Sequence, residues 1–275
     1  MAKYTRAVTM SRFLTRGEWL MLPGERAALE GVLSFVHPGL SIEIGTHTGG
    51  SLERLSAHSD AVHAFDLVLH PSVTPDRFPN VTFHVGDSHE LLPTVLDEFA
   101  RVRKNVDFVL VDGDHRAEGV RQDLADLLSS PCIRETVVLL HDTLNESVRA
   151  GLEQVDFSAF ANVRFVDLDF VQGRVMREGP QQDELWYGLG LVVTGVGSWD
   201  SDWPEPYAAS EVYAGFSSSL ARADAIEQRL GYRQLVELQR EAAEQKALVK
   251  LMESSVSWRL AAPLRHLRAL TQRRR

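Results

Sequence analysis

Short apolar runs recur along the first two thirds of the chain, and amphipathic stretches of helical period separate several of them. Seven runs predict strands, at Leu40–Ile44, Val62–Phe65, Val81–Val85, Val106–Val111, Thr136–Leu140, Val163–Leu168 and Leu189–Val193. Amphipathic stretches predict helices at Glu25–Val36, Ser51–Ser56, Leu91–Val102 and Glu118–Leu128. This alternation predicts an α/β domain with a doubly wound, mostly parallel seven-stranded sheet, helices on both faces and a final hairpin.

The pattern changes after residue 197, so the α/β domain is assigned to residues 25–197, behind an N-terminal segment, residues 1–24. Residues 198–210 are rich in Trp and Pro and predict a linker. Residues 211–256 predict a polar helical extension with the three-four apolar spacing of a short coiled coil. A helix packed on its own domain fits that spacing equally well. Residues 257–275 form a basic tail that contains Trp258.

Charge and composition narrow the class of protein. The chain has 29 basic and 38 acidic residues and a net charge of −9, although residues 257–275 hold six arginines and no acidic residue. An acidic body argues against general nucleic-acid binding, which needs a basic face. The single cysteine, Cys132, excludes an intrachain disulfide, and no apolar run reaches the ~18–20 residues of a membrane span. With no apolar leader at the N-terminus, the sequence predicts a cytoplasmic protein.

The first predicted strand ends in the run Ile42–Ser51, in which an acidic residue, Glu43, precedes a glycine-rich turn into a helix. Glycines let the backbone approach a ligand, and the start of a helix offers free N–H groups. The spacing is neither the Gly-x-Gly-x-x-Gly dinucleotide fingerprint nor a phosphate-binding loop. An ordinary tight turn between a strand and a helix is the alternative.

Polar residues also follow the next four strands. They are Asp66, then Asp87 and Ser88, then Asp112, Asp114 and His115, and finally His141 and Asp142. Aspartates at such points often only cap helices or turns. Because the carboxyl ends of parallel strands meet at one edge of a sheet, five such ends together predict a ligand site. Asp66 suits a ribose diol, and Asp87 and Ser88 suit an adenine edge.

The run Val111–Val120, with Asp-Gly-Asp-His at its start, and the later pair His141-Asp142 resemble the class I methyltransferases that use S-adenosylmethionine. The run Trp186–Leu191 resembles the same bacterial branch, and the resemblance covers roughly residues 25–195. It implies a Rossmann-like fold, with the ribose at Asp66 and the adenine side at Asp87 and Ser88. The residues implied for the rest of the cofactor are Glu43, Gly45, Thr46, Gly49 and Ser51, which line the methionine half, and Asp112.

Methyl transfer to an alcohol needs a general base or a metal ion that stabilises the alkoxide. His115 and His141 are the candidate bases. Related sugar O-methyltransferases hold a divalent metal on carboxylates after the fourth and fifth strands, which implies Mg²⁺ at Asp112, Asp114 and Asp142. In those enzymes the fifth-strand pair is two acids, whereas this chain has His141-Asp142.

The run Ser254–Arg265 resembles the ending of many bacterial enzymes that build surface polysaccharides. Together the two resemblances predict an S-adenosylmethionine-dependent O-methyltransferase acting on a sugar hydroxyl in a glycan, a glycolipid or a glycosylated metabolite. The tail predicts contact with the inner face of a membrane or with a partner enzyme, and the helical extension predicts a homo-oligomer. The alternatives are a non-catalytic, cofactor-binding assembly subunit and a nicotinamide-dependent oxidoreductase, which the glycine spacing disfavours.

Overall fold

The computed structural model describes residues 19–195 and the single residue Lys246. Every element below lies in the first of two units, residues 1–213. The predicted linker, the predicted helical extension apart from Lys246, and the basic tail lie outside the described residues, as do residues 1–18.

Nine strands and five helices follow one another along this part of the chain. The strands are β1 (Leu40–Ile44), β2 (Ala61–Asp66), β3 (Val81–Val85), β4 (Phe108–Val111), β5 (Val137–His141), β6 (Val163–Val171), β7 (Arg174–Val175), β8 (Leu185–Trp186) and β9 (Leu189–Thr194). The helices are α1 (Pro23–Val36), α2 (Gly50–His58), α3 (Ser88–Arg101), α4 (Ala117–Ser129) and α5 (Glu146–Glu153), and a 3₁₀ turn spans Phe157–Ala159.

Seven strands form one sheet in the order β3-β2-β1-β4-β5-β9-β6. The first five of these are parallel, and β9 runs antiparallel to both β5 and β6. The predicted Rossmann-like, mostly parallel seven-stranded sheet is therefore confirmed. The strand order reverses between β1 and β4, which places the ligand crevice of such a sheet at their carboxyl ends.

Alternate side chains of the strands enter two separate hydrophobic cores, one on each face of the sheet. In β4, Val109 and Val111 pack into one core, while Phe108 and Leu110 pack into the other. Helices α3, α4 and α5 cover the first face, and α1 and α2 cover the second. Burial on both faces explains why β4, at the centre of the sheet, is a continuous apolar run.

Some elements differ from the prediction. Strand β4 begins at Phe108 rather than at Val106, whose N–H is bonded to the Cys132 carbonyl, outside the ladder. Helix α5 and the two-stranded hairpin β7–β8 were not predicted. Among residues 19–195, no helix has both the length and the apolar character that crossing a membrane requires.

Candidate active site

A cleft of about 1010 Å³ lies at the carboxyl ends of β1 to β5. Its wall includes most of the predicted site residues, namely Gly45, Thr46, Ser51, Asp66, Asp87, Ser88, Asp112, Asp114, His115, His141 and Asp142. The structure thus gathers the polar residues that follow all five parallel strands. This volume is at the upper end of what a ligand pocket occupies, so it has room for a cofactor and a second molecule.

The glycine-rich turn between β1 and α2 forms the floor of the cleft. Gly45 has φ +86°, and a Cβ atom there would lie 2.0 Å from the backbone oxygen of Asp112. Gly49 also has a left-handed backbone, with φ +84°, at the residue before α2 begins. Only glycine allows both the backbone conformation and the close contact with the end of β4.

Asp66 shapes this turn from the end of β2. Its Oδ2 atom accepts hydrogen bonds of 2.9 Å from the backbone N–H groups of Thr46 and His47. Its Oδ1 atom accepts only a long bond of 3.3 Å from the N–H of Val68. One carboxylate oxygen therefore holds the loop, and the other is left with one long hydrogen bond in a residue that lines the cleft.

Glu43 lies beneath the turn and does not line the cleft, because it points to the α1–α2 face of the sheet and is fully buried. Neither of its carboxylate oxygens has a hydrogen-bond partner within normal geometry. Burial raises the pKa of Glu43 to about 8, against the opposing effect of the Ser51 and Thr46 side chains. Glu43 therefore does not lie in the cleft wall, where the sequence predicted it.

At the end of β3, Asp87 begins α3 and its side chain accepts a hydrogen bond of 3.0 Å from the His89 N–H. The Ser88 hydroxyl donates to Asp123 on α4 over 3.2 Å. Both residues lie in the wall of the cleft, and their place on the adenine side stays a prediction.

A buried network of histidines and aspartates lies at the ends of β4 and β5. The His141 Nδ1 atom lies 2.9 Å from Asp112 Oδ1 and 3.4 Å from Asp142 Oδ2. Burial works against a charge on this ring, but the two carboxylates outweigh it and hold the pKa of His141 well above its ordinary value. His141 therefore supplies a fixed positive charge between Asp112 and Asp142.

His115 is the part of this network that the cleft exposes. Its Nε2 atom lies 2.8 Å from Asp142 Oδ2, and its side chain is 42% exposed, against 4% for His141. The hydrogen bond to Asp142 raises the pKa of His115. Because Nε2 is engaged, Nδ1 is the nitrogen that remains to accept a proton. The structure thus separates the two predicted bases into an accessible ring and a buried one.

The predicted metal ligands are only partly brought together. One potential ligand atom from each of Asp112, His115 and Asp142 lies within 4.8 Å of the others. Asp114 is not in this group, because both of its carboxylate oxygens are hydrogen-bonded to the Arg116 guanidinium.

Magnesium does not fit this group as it stands. Mg²⁺ prefers oxygen ligands. The two carboxylate oxygens that face one another, on Asp112 and Asp142, are already hydrogen-bonded to His141 over 2.9 Å and to His115 over 2.8 Å. We therefore derive no catalytic step through a metal ion.

Two residues of the site were not predicted. Glu25, fully buried on α1, accepts a hydrogen bond of 2.6 Å from the Gly188 N–H and lies 3.4 Å from His141 Nε2. The N–H of Tyr187, whose φ is +68°, donates to Asp142 Oδ1 over 2.8 Å. Glu25 looked like an ordinary first-turn acid of a helix, so nothing in its surroundings in the sequence indicated a role.

Comparison with known proteins identifies the central segment. Residues 42–143, from β1 to just beyond β5, match the family model of a methyltransferase domain. No curated protein sequence matches the chain significantly.

Several solved structures resemble the chain. The O-methyltransferase TomG from Streptomyces achromogenes, solved with S-adenosylmethionine, is 16% identical at a TM-score of 0.50, over 70% of this chain and 92% of its own. An O-methyltransferase from Bacillus cereus, solved with S-adenosylhomocysteine, is 16% identical at a TM-score of 0.46, over 65% and 84% of the two chains. The MycE methyltransferase of mycinamycin biosynthesis, solved with Mg and S-adenosylhomocysteine, is 18% identical at a TM-score of 0.45, over 76% of this chain and 58% of its own.

The matched segment and the strand order define the class of domain. Residues 42–143 are similar to a methyltransferase domain, and they lie in a Rossmann-like sheet.

Proposed function

We propose that the protein is an O-methyltransferase that uses S-adenosylmethionine to methylate a hydroxyl group on a sugar, in a glycan, a glycolipid or a glycosylated metabolite. The observation that carries the proposal is the His115–Asp142 pair, because it offers an accessible, oriented base at the cofactor cleft. An aliphatic hydroxyl has a pKa far above neutrality and needs such a base, whereas a more acidic acceptor does not.

When bound, S-adenosylmethionine supplies a methyl group on a sulfonium, whose carbon–sulfur bond breaks as the carbon–oxygen bond forms. His115 takes the proton of the acceptor hydroxyl on Nδ1. Asp142 holds Nε2 of the same ring and stabilises the imidazolium that results. The positive charge of His141 keeps Asp142 ionised, because it lowers the pKa of that buried carboxyl against the effect of burial.

The sugar acceptor is supported by aromatic side chains in the cleft. Trp19, Trp186 and Tyr187 line it, and the Trp186 ring lies 5.6 Å from the His115 ring. Trp186 is held by a hydrogen bond of 2.7 Å from its Nε1 to Glu184. A flat aromatic wall beside a base suits the apolar face of a sugar ring, and the resemblance of the chain to sugar O-methyltransferases favours the same acceptor class.

The test is methyl transfer from labelled S-adenosylmethionine to a panel of glycans and glycosides, with and without a chelator. We expect turnover to survive chelation and to fall about 10²–10⁴-fold in His115→Gln. His58→Gln is the matched control, since His58 pairs with Glu30 over 2.9 Å outside the cleft. Turnover that chelator abolishes and Mg²⁺ or Mn²⁺ restores would favour the metal-dependent alternative. Full activity of His115→Gln in chelator would contradict the proposed base.

A further inference from the structure

A second cluster of titratable side chains lies at the end of β3, and the proposed mechanism does not use it. Asp87, Ser88 and His89 line the cleft, and Asp123 lies behind them on α4. The His89 side chain is 15% exposed, and that of Asp123 is fully buried.

Both ring nitrogens of His89 face oxygen atoms that can only accept hydrogen bonds. Nδ1 lies 3.0 Å from Asp87 Oδ1, and Nε2 lies 3.2 Å from the Gly119 carbonyl oxygen and 3.5 Å from Asp123 Oδ1. A neutral imidazole has only one N–H and would turn a lone pair towards one of these oxygens. The ring donates one hydrogen bond, from Nε2 to Gly119, and the carboxylate oxygen 3.0 Å from Nδ1 favours the doubly protonated, positively charged ring.

Asp123 is the reason that this charge persists. It accepts one hydrogen bond, from Ser88, and its buried Oδ2 has no hydrogen-bond partner. Burial raises the pKa of Asp123 to about 6, and the charge of His89 opposes this shift. Burial works against the charge on His89 too, but Asp123, Gly119 and Asp87 outweigh it and raise the pKa of His89.

The other charged groups that act on His89 are mostly acidic. Asp114, in the loop before α4, and Asp126, on α4, add negative potential. Arg116 is the nearby cation, and its guanidinium is committed to Asp114. The surroundings of His89 thus favour its charged form from each element that packs against it.

We propose that His89, kept charged by Asp123, is a positioning residue that fixes Asp87 for the adenine half of the cofactor and makes cofactor binding depend on pH. The inference rests on the proposed function, which puts Asp87 on the adenine side. Asp87 Oδ1 accepts a hydrogen bond from the backbone N–H of His89 and lies 3.0 Å from the Nδ1 atom of its ring, as an ion-pair contact. Oδ2 accepts no hydrogen bond from residues 19–195, which leaves it for a donor on the ligand. When His89 loses its proton, Asp87 and Asp123 lose the positive charge beside them.

The experiment is calorimetric titration of the full chain with S-adenosylhomocysteine between about pH 6 and pH 9. For the wild type, we expect the dissociation constant to rise about tenfold as His89 loses its proton, which corresponds to a coupling of one pKa unit between that charge and the ligand. His89→Gln keeps hydrogen-bonding capacity without a charge, so its affinity should be weaker and lack this step. Burial raises the pKa of Glu43 to about 8, and His89→Gln leaves Glu43 in place, so the difference between the two profiles isolates His89.

His58→Gln should follow the wild-type profile. Asp123→Asn removes the buried charge that stabilises the imidazolium, so its step should move to lower pH. Wild-type protein that binds no S-adenosylhomocysteine at any pH would contradict the proposed function itself. If the wild type binds and His89→Gln shows the same dependence of the dissociation constant on pH, this inference is overturned and the proposed function is not. If His89→Gln does not fold, Asp123→Asn provides the test. A dissociation constant that rises at the same pH in Asp123→Asn as in the wild type would also overturn this inference.

Discussion

Asp66 combines two tasks in one carboxylate. Its Oδ2 holds the backbone of Thr46 and His47, and its Oδ1 faces the cleft, where the proposed function puts a ribose. We expect Asp66→Ala to weaken S-adenosylhomocysteine binding by about 2–3 kcal/mol, as the loss of charge-assisted hydrogen bonds does. Calorimetry measures this, with the exposed Asp76→Ala as a control. Unchanged affinity in Asp66→Ala would remove Asp66 from the site.

His115 accepts a proton only as the neutral ring, and Asp142 raises its pKa above the ordinary value of about 6.5. Activity should therefore be present above this raised pKa and be lost as the pH falls through it. The pH profile of kcat should show one such step on the acid side. Asp142→Asn should move the step to lower pH, because it removes the charge that stabilises the imidazolium. A profile without an acid-side step would argue against His115 as the base.

Prediction from the sequence found residues at strand ends that line the cleft and missed their distant partners. Asp66 and Asp112 could be found because a polar residue directly after an apolar run is visible locally. Glu25 and Gly188 are bonded although 163 positions separate them, and no local pattern reports such a contact. The commitment of Asp114 to Arg116 was equally hidden, since it depends on the rotamers of a half-buried aspartate and an exposed arginine.

At the scale of elements, the β1–α2 turn depends on backbone space at Gly45. Gly45→Ala would force an alanine to φ +86° and push its Cβ into the Asp112 carbonyl. We expect backbone strain of about 1–3 kcal/mol, a lower melting temperature and weaker cofactor binding, because the end of β4 must move.

Gly31→Ala is the matched control for this turn. Gly31 lies in α1, and a Cβ atom there would meet nothing within 4 Å. An alanine at this helical position should stabilise the protein by about 0.5–1 kcal/mol. Equal melting temperatures for the two variants would show that the turn tolerates a side chain and would contradict the reading of Gly45.

Predicted elements failed where apolar periodicity was weak. Helix α5 has the sequence ESVRAGLE, in which a buried arginine, Arg149, replaces an apolar residue and pairs with Asp169 over 3.0 Å. A pattern of apolar positions cannot show a charged side chain that is buried through a partner on β6. The strands of the β7–β8 hairpin have two residues each, too few to show any alternation.

At the scale of the whole molecule, the two-layered core explains why the sheet was predictable. The central strands β4 and β5 are buried on both faces and so appear as nearly unbroken apolar runs, whereas β6 is partly exposed and extends to Val171, beyond its predicted end at Leu168. The position of β9 between β5 and β6 depends on which strands pair, and the sequence of a single strand does not show its partners. The helical extension and its proposed role in homo-oligomerisation stay predictions.

The distribution of charge along the whole chain motivates the last prediction. Residues 257–275 carry six arginines and no acidic residue, while the remainder of the chain carries −15. An arginine near an anionic membrane surface contributes roughly 1 kcal/mol to binding, so several together can overcome the repulsion of an acidic body.

Deletion of residues 257–275 should leave the melting temperature and S-adenosylhomocysteine binding unchanged and should reduce co-sedimentation with anionic vesicles. Neutral vesicles serve as the control, because they should retain neither protein through charge. If the full-length and truncated proteins co-sediment equally with anionic vesicles, the tail is not a membrane contact, and pull-down of partner enzymes then tests the other proposed role.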